Sequence, residues 1–428
     1  MHTRKSRAHP LSPPVRLLLA AALVQGCAHG VPPGPERGGG EPPLTVVAIG
    51  DAGEANAALR ANAALLAAMH SGRHDGGPVD ALIFLGDNFY ETGLNVPADD
   101  VGGTVRRILG PFRVPMEDLG RSRVHAVPGN HEYYARHAIE ASVLFGLVKI
   151  AEGPIGLAER GNARAREIGW WTYHDRFPGE TTLPLSAGSP DSVQFIFVDS
   201  ALPLRTPDRT WEEPLDSLQR LLRAGAARRG LLWRVLCMHH PFYTVGEHGG
   251  FSVWDDERSE VGYVPRCDRD SDAVSWARNF IDPEDPCAEK YVRYAARVKG
   301  AIREAGVPVQ ILLAGHDHSM QLLYYPDRDA DCSGCPKVHV LSGAGSRPTR
   351  VMFPRPPSEY TSAQRAPAAR GISVSGFAQL RFGRDALRLV FYDGRSQEPV
   401  DMGEGRREFL ISRDGRLMEG APPEGRTP

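Results

Sequence analysis

Short apolar runs, each cut off by a residue of metal-binding type, recur along the chain. Leu44 to Ile49 leads to Asp51, Ala81 to Leu85 to Asp87 and Tyr90, and Val124 to Val127 to Asn130 and His131. Leu232 to Met238 then leads to His239, and Val309 to Ala314 to His316 and His318. Runs this brief and this rich in Val, Ile and Leu predict strands buried on both faces. Between them, Glu54 to Met69 places Leu59, Ala63, Leu66 and Met69 on one helical face. Further helices are predicted at Leu215 to Ala227 and Tyr291 to Ala305, and a further strand at Val193 to Val198. Beyond His318 the pattern changes to strands joined by turns, at Met320 to Tyr325, Lys337 to Leu341, Gly376 to Phe382 and Ala386 to Tyr392. The expected fold is α/β of the mixed α+β kind: two mixed sheets packed face to face and flanked by helices, over residues 44–399. Residues 400–428 form a C-terminal extension with one more strand, Arg407 to Ser412, and a Pro/Gly-rich end.

The ends of the chain change the picture. Arg4, Lys5, Arg7 and Arg16 precede the apolar stretch Leu17 to Val24, which has the length of a signal-peptide core and is too short to span a bilayer. Residues 1–27 therefore read as an export signal, and residues 28–43, which include VPPGPERGGGEPP, as a tether that cannot build a core. Val24-Gln25-Gly26-Cys27 resembles a bacterial lipoprotein box in which Cys27 would be lipidated, placing the protein in the periplasm or on a membrane surface. Ordinary cleavage near Ala28 and simple secretion are the alternative. Elsewhere no segment is apolar enough to cross a membrane.

Fifty basic residues against 52 acidic ones leave a formal net charge of -2, which gives no reason to expect nucleic acid as a partner. Beyond Cys27 there are five cysteines. Cys237 lies inside an apolar run and reads as a buried thiol. Cys267, Cys287, Cys332 and Cys335 allow three pairings, with a four-thiolate zinc site as the alternative. Nothing in the sequence fixes the oligomeric state.

In open α/β sheets the ligand site lies beyond the carboxyl ends of the strands, so the polar tips should converge on one rim. Taken singly, each would read as a capping Asp or Asn, or as a histidine satisfied in the core. Together, carboxylates, an amide oxygen and imidazoles suit borderline-to-hard cations such as Fe, Zn or Mn, and point to a two-metal centre. Asp87 falls between the other groups in order and is the natural bridging carboxylate.

The motifs GDAG, LGDNFYETG, PGNHEYY, HHPFYTVGEHG and AGHDHSMQLL resemble the series of the calcineurin-like metallophosphoesterases. Within that superfamily they are similar to purple acid phosphatases, especially the small, tartrate-resistant type. The similarity runs on through LSGAG and GFAQLRF and covers about 44–399. Two linked departures carry the subclass. Gly53 stands where the wider superfamily has a histidine ligand, and Tyr90, three residues after Asp87, is placed to restore it. A phenol has a pKa near 10, so binding as phenolate calls for a strongly Lewis-acidic ion such as Fe(III), whose tyrosinate bond is coloured.

The resemblance implies that Asp51, Tyr90 and His318 bind Fe(III), that Asp87 bridges, and that Asn130, His239 and His316 hold a divalent Fe, Zn or Mn. Pro241 sets the register that selects His239, leaving His240 to support the ligands or the structure. His131 and His248 take the places of phosphate-binding and proton-donating groups. The implied activity is hydrolysis of small phosphate monoesters, with a metal hydroxide as nucleophile. Its rivals are a phosphodiesterase or nucleotide pyrophosphatase on the same centre, and a non-catalytic surface lipoprotein. An insertion from Phe251 to Glu289 leaves directly after His248 and either restricts the substrate or ornaments the surface.

Overall fold

The computed structural model describes residues 43–134, 154–248, 251–255, 260–264, 284, 288–324, 332, 334–351 and 368–418. The leader, Cys27 and all of the tether but its last residue lie outside the described residues, as do Cys267 and Cys287.

The chain starts as the periodicity predicts, with β1 (Leu44–Ile49) and α1 (Ala57–His70). The helix begins three residues later than its apolar face suggests. The reason is Asn56, whose side chain accepts from the Leu59 amide at 3.0 Å and so fixes the N-terminus. There follow β2 (Ala81–Phe84), α2 (Ala98–Ile108), α3 (Arg113–Leu119), β3 (Val124–Ala126), α4 (Pro154–Glu167), β4 (Thr172–Tyr173), β5 (Gly179–Pro184) and β6 (Ser192–Val198). Then come the short α5 (Ala201–Arg205), α6 (Glu212–Ala226), β7 (Leu231–Met238), the hairpin β8 (Phe251–Asp255) and β9 (Glu260–Val264), and α7 (Glu289–Ala305). The rest is strands: β10 (Ile311–Ala314), β11 (Met320–Tyr324), β12 (Val338–Ser342), β13 (Ala368–Ile372), β14 (Gly376–Phe382), β15 (Ala386–Asp393), β16 (Phe409–Ser412) and β17 (Leu417–Met418).

Among the described residues the strands form two large mixed sheets, in the orders β17-β16-β15-β14-β1-β2-β3-β4 and β13-β11-β12-β10-β7-β6-β5. Part of each is parallel: β1, β2, β3 and β4, which run to one edge of the first, and β6, β7, β10 and β12 at the centre of the second. Strand alternation divides the apolar residues between two faces. Val46, Ala48 and Ile83 point to Phe195, Val235 and Leu313 in the layer between the sheets, whereas Val47 and Leu82 pack outward on Leu59, Leu66 and Met69 of α1. On the far side Ile196, Leu236 and Leu312 meet Leu218 and Leu222 of α6 and Ile302 of α7. The central strands β1, β2, β7 and β10 are apolar on both faces because each sheet is covered there on both sides. Phe409 and Ile411 of the C-terminal extension are buried in the same inter-sheet core.

Cys237 is a buried free thiol, as its apolar setting suggests. Cys332 and Cys335 are joined to each other, so neither is left as a zinc thiolate.

Candidate metal centre

The carboxyl ends of β1, β2, β3, β7 and β10 meet at one edge where the two sheets face each other. Backbone hydrogen bonds stitch the tips together: Asp51 N to Gly86 O at 3.0 Å, Gly315 N to His239 O at 3.0 Å, and Gly50 N to Ser342 O at 2.7 Å. Three of the polar residues at these tips, Asp51, Asp87 and His316, have φ of 56°, 49° and 71°. Left-handed backbone is uncommon for a residue with a Cβ, and its clustering here is strain of the kind that functional sites hold.

One half of the site is a triad. Tyr90 Oη donates to Asp51 Oδ1 at 3.1 Å and lies 3.0 Å from His318 Nε2, which is itself 3.3 Å from Asp51 Oδ1. The other Asp51 oxygen accepts from the His316 amide at 2.9 Å. Burial, reinforced by the Asp51 and Asp87 carboxylates, pushes the Tyr90 phenol well above its ordinary range. Only a strongly Lewis-acidic cation would draw that proton off. Gly53 forms the floor beneath. A Cβ there would stand 2.7 Å from Asp87 O, Phe89 N and Tyr90 N, so this backbone has no room for a side chain. Tyr90 N donates to Gly53 O at 3.0 Å, which ties the Tyr90 loop directly over the glycine.

The other half gathers around His239. Its Nδ1 is 2.8 Å from Leu85 O, and its Nε2 is 2.8 Å from Asn130 Oδ1 and 3.5 Å from Asp87 Oδ1. Burial opposes a charge on His239, yet the Asp87 carboxylate raises it to about 10. Asp87, despite the same burial, is held far below the usual carboxylate range by His239 and His131. This pocket calls for positive charge. His316 is the complementary case: burial and the surrounding imidazoles push it well below 6.5, and its Nε2 is buried without a hydrogen-bond partner. It therefore offers a ring nitrogen that no hydrogen bond uses.

The donor set fits a binuclear centre. Ligand-type atoms of Asp51, Asp87 and His239 lie within 4.8 Å of one another, and so do those of His239, His240 and His316. His240, read from the sequence as supporting, is closer to the cluster than expected. Its Nδ1 is 2.9 Å from Ser200 Oγ, and its Nε2 is buried and unpartnered.

His131 and His248 stand at the rim. His131 Nδ1 lies 2.7 Å from Glu91 O, its Nε2 3.8 Å from Asp87 Oδ2, and its ring is edge-on between Tyr90 and Tyr134. His248 stacks on His316 with centroids 4.5 Å apart.

Three supporting residues escaped the sequence reading. Glu132 accepts from the amides of Asp87 at 3.1 Å, Asn88 at 2.8 Å, Phe89 at 3.2 Å and Gly129 at 2.5 Å. It is 2% exposed, and burial followed by the Asp87 charge raises it to about 8. An acid directly inside PGNHEYY was the available signal. Asp317, between two candidate ligands, accepts from the Thr244 hydroxyl, while Gln321 accepts from Val245 N at 2.9 Å. These bonds hold the loop that ends at His248.

Among solved structures the chain is similar to GAP50, the anchor in the inner membrane complex of Plasmodium, at 14% identity over 84% of this chain and 87% of that one, with a TM-score of 0.48. It is also similar to the purple acid phosphatase PPD1 from yellow lupin (Lupinus luteus) seeds, at 15% identity and a TM-score of 0.48. That match covers 86% of this chain but only 53% of the lupin chain. A third likeness is to PhoD, at 11% identity over 91% and 74% of the two chains, with a TM-score of 0.48. No curated protein matches the chain. The sequence profile of the calcineurin-like phosphoesterases matches residues 44–320, well over half of the chain and the part that carries every candidate ligand. The chain thus belongs to the calcineurin-like phosphoesterase family and is a metal-dependent phosphoester hydrolase.

Proposed function

We propose that the chain is a phosphomonoesterase of the purple acid phosphatase type, with Fe(III) on Asp51, Tyr90 and His318, a divalent Fe, Zn or Mn on Asn130, His239 and His316, and Asp87 between them. The observation that carries this reading is the Asp51–Tyr90–His318 triad above a Gly53 with no space for a side chain. Bound there, two such ions supply Lewis acidity, a nucleophile made from water, and a clamp on the phosphate. The protein supplies the rest. His131, with Nδ1–H spent on the Glu91 carbonyl, directs Nε2 over Asp87, and as the imidazolium it can pass a proton to the departing alkoxide. His248, stacked on His316, faces the same space and binds phosphoryl oxygens.

The test is a visible spectrum with metal analysis. Oxidised protein should contain iron and show a charge-transfer band that Tyr90→Phe abolishes; a colourless iron protein, or a band that survives the substitution, refutes the tyrosinate assignment. Turnover of nitrophenyl phosphate against its bis-ester separates the monoesterase from the diesterase reading. We further propose export and lipid anchoring at Cys27. Wild type should then partition into detergent and Cys27→Ser into the aqueous phase, whereas two soluble proteins would mean simple secretion.

A further inference from the structure

Asn130 differs from the other proposed ligands in one respect. A carboxylate offers oxygen at both ends, but an amide offers oxygen at one end and NH2 at the other. Only one of its two orientations can bind a metal.

Tyr134 makes the choice. Asn130 Nδ2 donates to Tyr134 Oη at 3.2 Å, which leaves Oδ1 facing His239 Nε2. A phenol can also donate, and a donating hydroxyl would favour the flipped amide. That proton is committed elsewhere: Tyr134 Oη donates to Glu284 Oε2 at 2.9 Å. Glu284 is 3% exposed. Its other oxygen accepts from Arg205 of α5, whose guanidinium carbon also lies 4.5 Å from the centre of the Tyr134 ring. The chain of contacts runs from the centre to a residue 150 positions away in sequence from Tyr134, inside the 251–289 insertion.

We propose that Tyr134 and Glu284 are positioning residues that hold the Asn130 amide with its oxygen toward the divalent ion, so that Glu284 of the insertion helps to build the metal site. The proposal rests on the reading of Asn130 as a ligand. Groups that orient a ligand typically contribute about 10- to 100-fold in metal affinity.

The test is Zn2+ titration of the full-length protein against a chromophoric chelator, with zinc per chain counted by mass spectrometry. Tyr134→Phe and Glu284→Ala should each weaken Zn2+ binding by about 10- to 100-fold. The double variant should lose no more than the weaker-binding single one. Glu284→Gln, whose amide oxygen still accepts from the phenol, should retain most of the affinity and guards against a merely misfolded Glu284→Ala. The decisive comparison is in an Asn130→Asp background, where a carboxylate needs no orienting and Tyr134→Phe should cost little. An equal cost in both backgrounds, additive losses in the double variant, or unchanged affinity in Tyr134→Phe overturns the relay while leaving the ligand reading intact. If Asn130→Ala itself binds Zn2+ like wild type, the ligand reading falls and the relay with it.

Discussion

Left-handed backbone at Asp51, Asp87 and His316 costs on the order of 1 kcal/mol or more at each residue. It persists because surrounding bonds over-determine it, among them His131 N to Asp87 Oδ1 at 2.9 Å. His131 is thus tied to the centre by its backbone whatever its imidazole does. Removing the ring alone should test its chemistry. General acid catalysis contributes about 10²- to 10⁴-fold and matters most for poor leaving groups. His131→Ala should therefore slow hydrolysis of alkyl phosphates far more than that of nitrophenyl phosphate, in parallel kcat measurements; equal slowing would assign His131 to phosphate binding. At this scale the proposed ligands were legible because five apolar runs end alike in Asp, Asn or His, a recurrence that isolated caps or core histidines do not produce. Glu132 was passed over: the acid is visible inside PGNHEYY, but its role was not, because its partners are backbone amides.

Between residues and fold stand the loops, and here one carboxylate joins two of them. Glu132, in the turn after β3, gathers three successive amides from the Asp87–Phe89 turn after β2 and closes on Gly129 in its own turn. Glu132→Ala would leave those donors buried and unpaired. Each costs about 1–3 kcal/mol, so several kcal/mol should be lost in denaturant unfolding of the metal-free protein. Glu132→Gln, which keeps an acceptor, should lose less. The buried strands and the three amphipathic helices were readable from periodicity alone. The edge strands β5 and β13 were not, since β5 (GETTLP) is mostly polar and partly exposed. Nor was α2, which contains Gly102 and Gly103 and buries only Thr104 and Ile108.

For the whole molecule, the inter-sheet layer limits tolerance of acid. His125 of β3 stacks on Phe197 of the opposite sheet at 4.8 Å and on His174 at 5.9 Å. Burial, with His174 second, lowers His125 to about 4, and burial lowers His174 too. Because the folded value lies below the unfolded value near 6.5, the unfolded chain takes up protons first as the pH falls. The stability that the neutral ring contributes is therefore complete above pH 6.5 and drains away between about 6.5 and 4. A shift of this size corresponds to roughly 3 kcal/mol at the lower end. His125→Phe should flatten that part of the stability-pH curve relative to wild type, measured by denaturant midpoints; parallel curves would refute it. The architecture was legible at this scale because a sheet covered on both sides writes continuous apolar runs. The histidine stack was not, because β3 and β6 are joined only by the fold.

The contact between Gly53 and the Tyr90 loop bears on how such centres evolve. With the Asp87–Tyr90 backbone lying against the glycine, a histidine arriving at position 53 would meet main chain before it met a metal. Losing Tyr90 first would leave the triad one donor short. On the proposed assignment of Tyr90 as a ligand, neither single substitution would give a centre of the histidine type, so exchanging one design for the other would need both changes together. The steric contact thus ties the glycine, a residue with no chemistry of its own, to the ligand proposed above it.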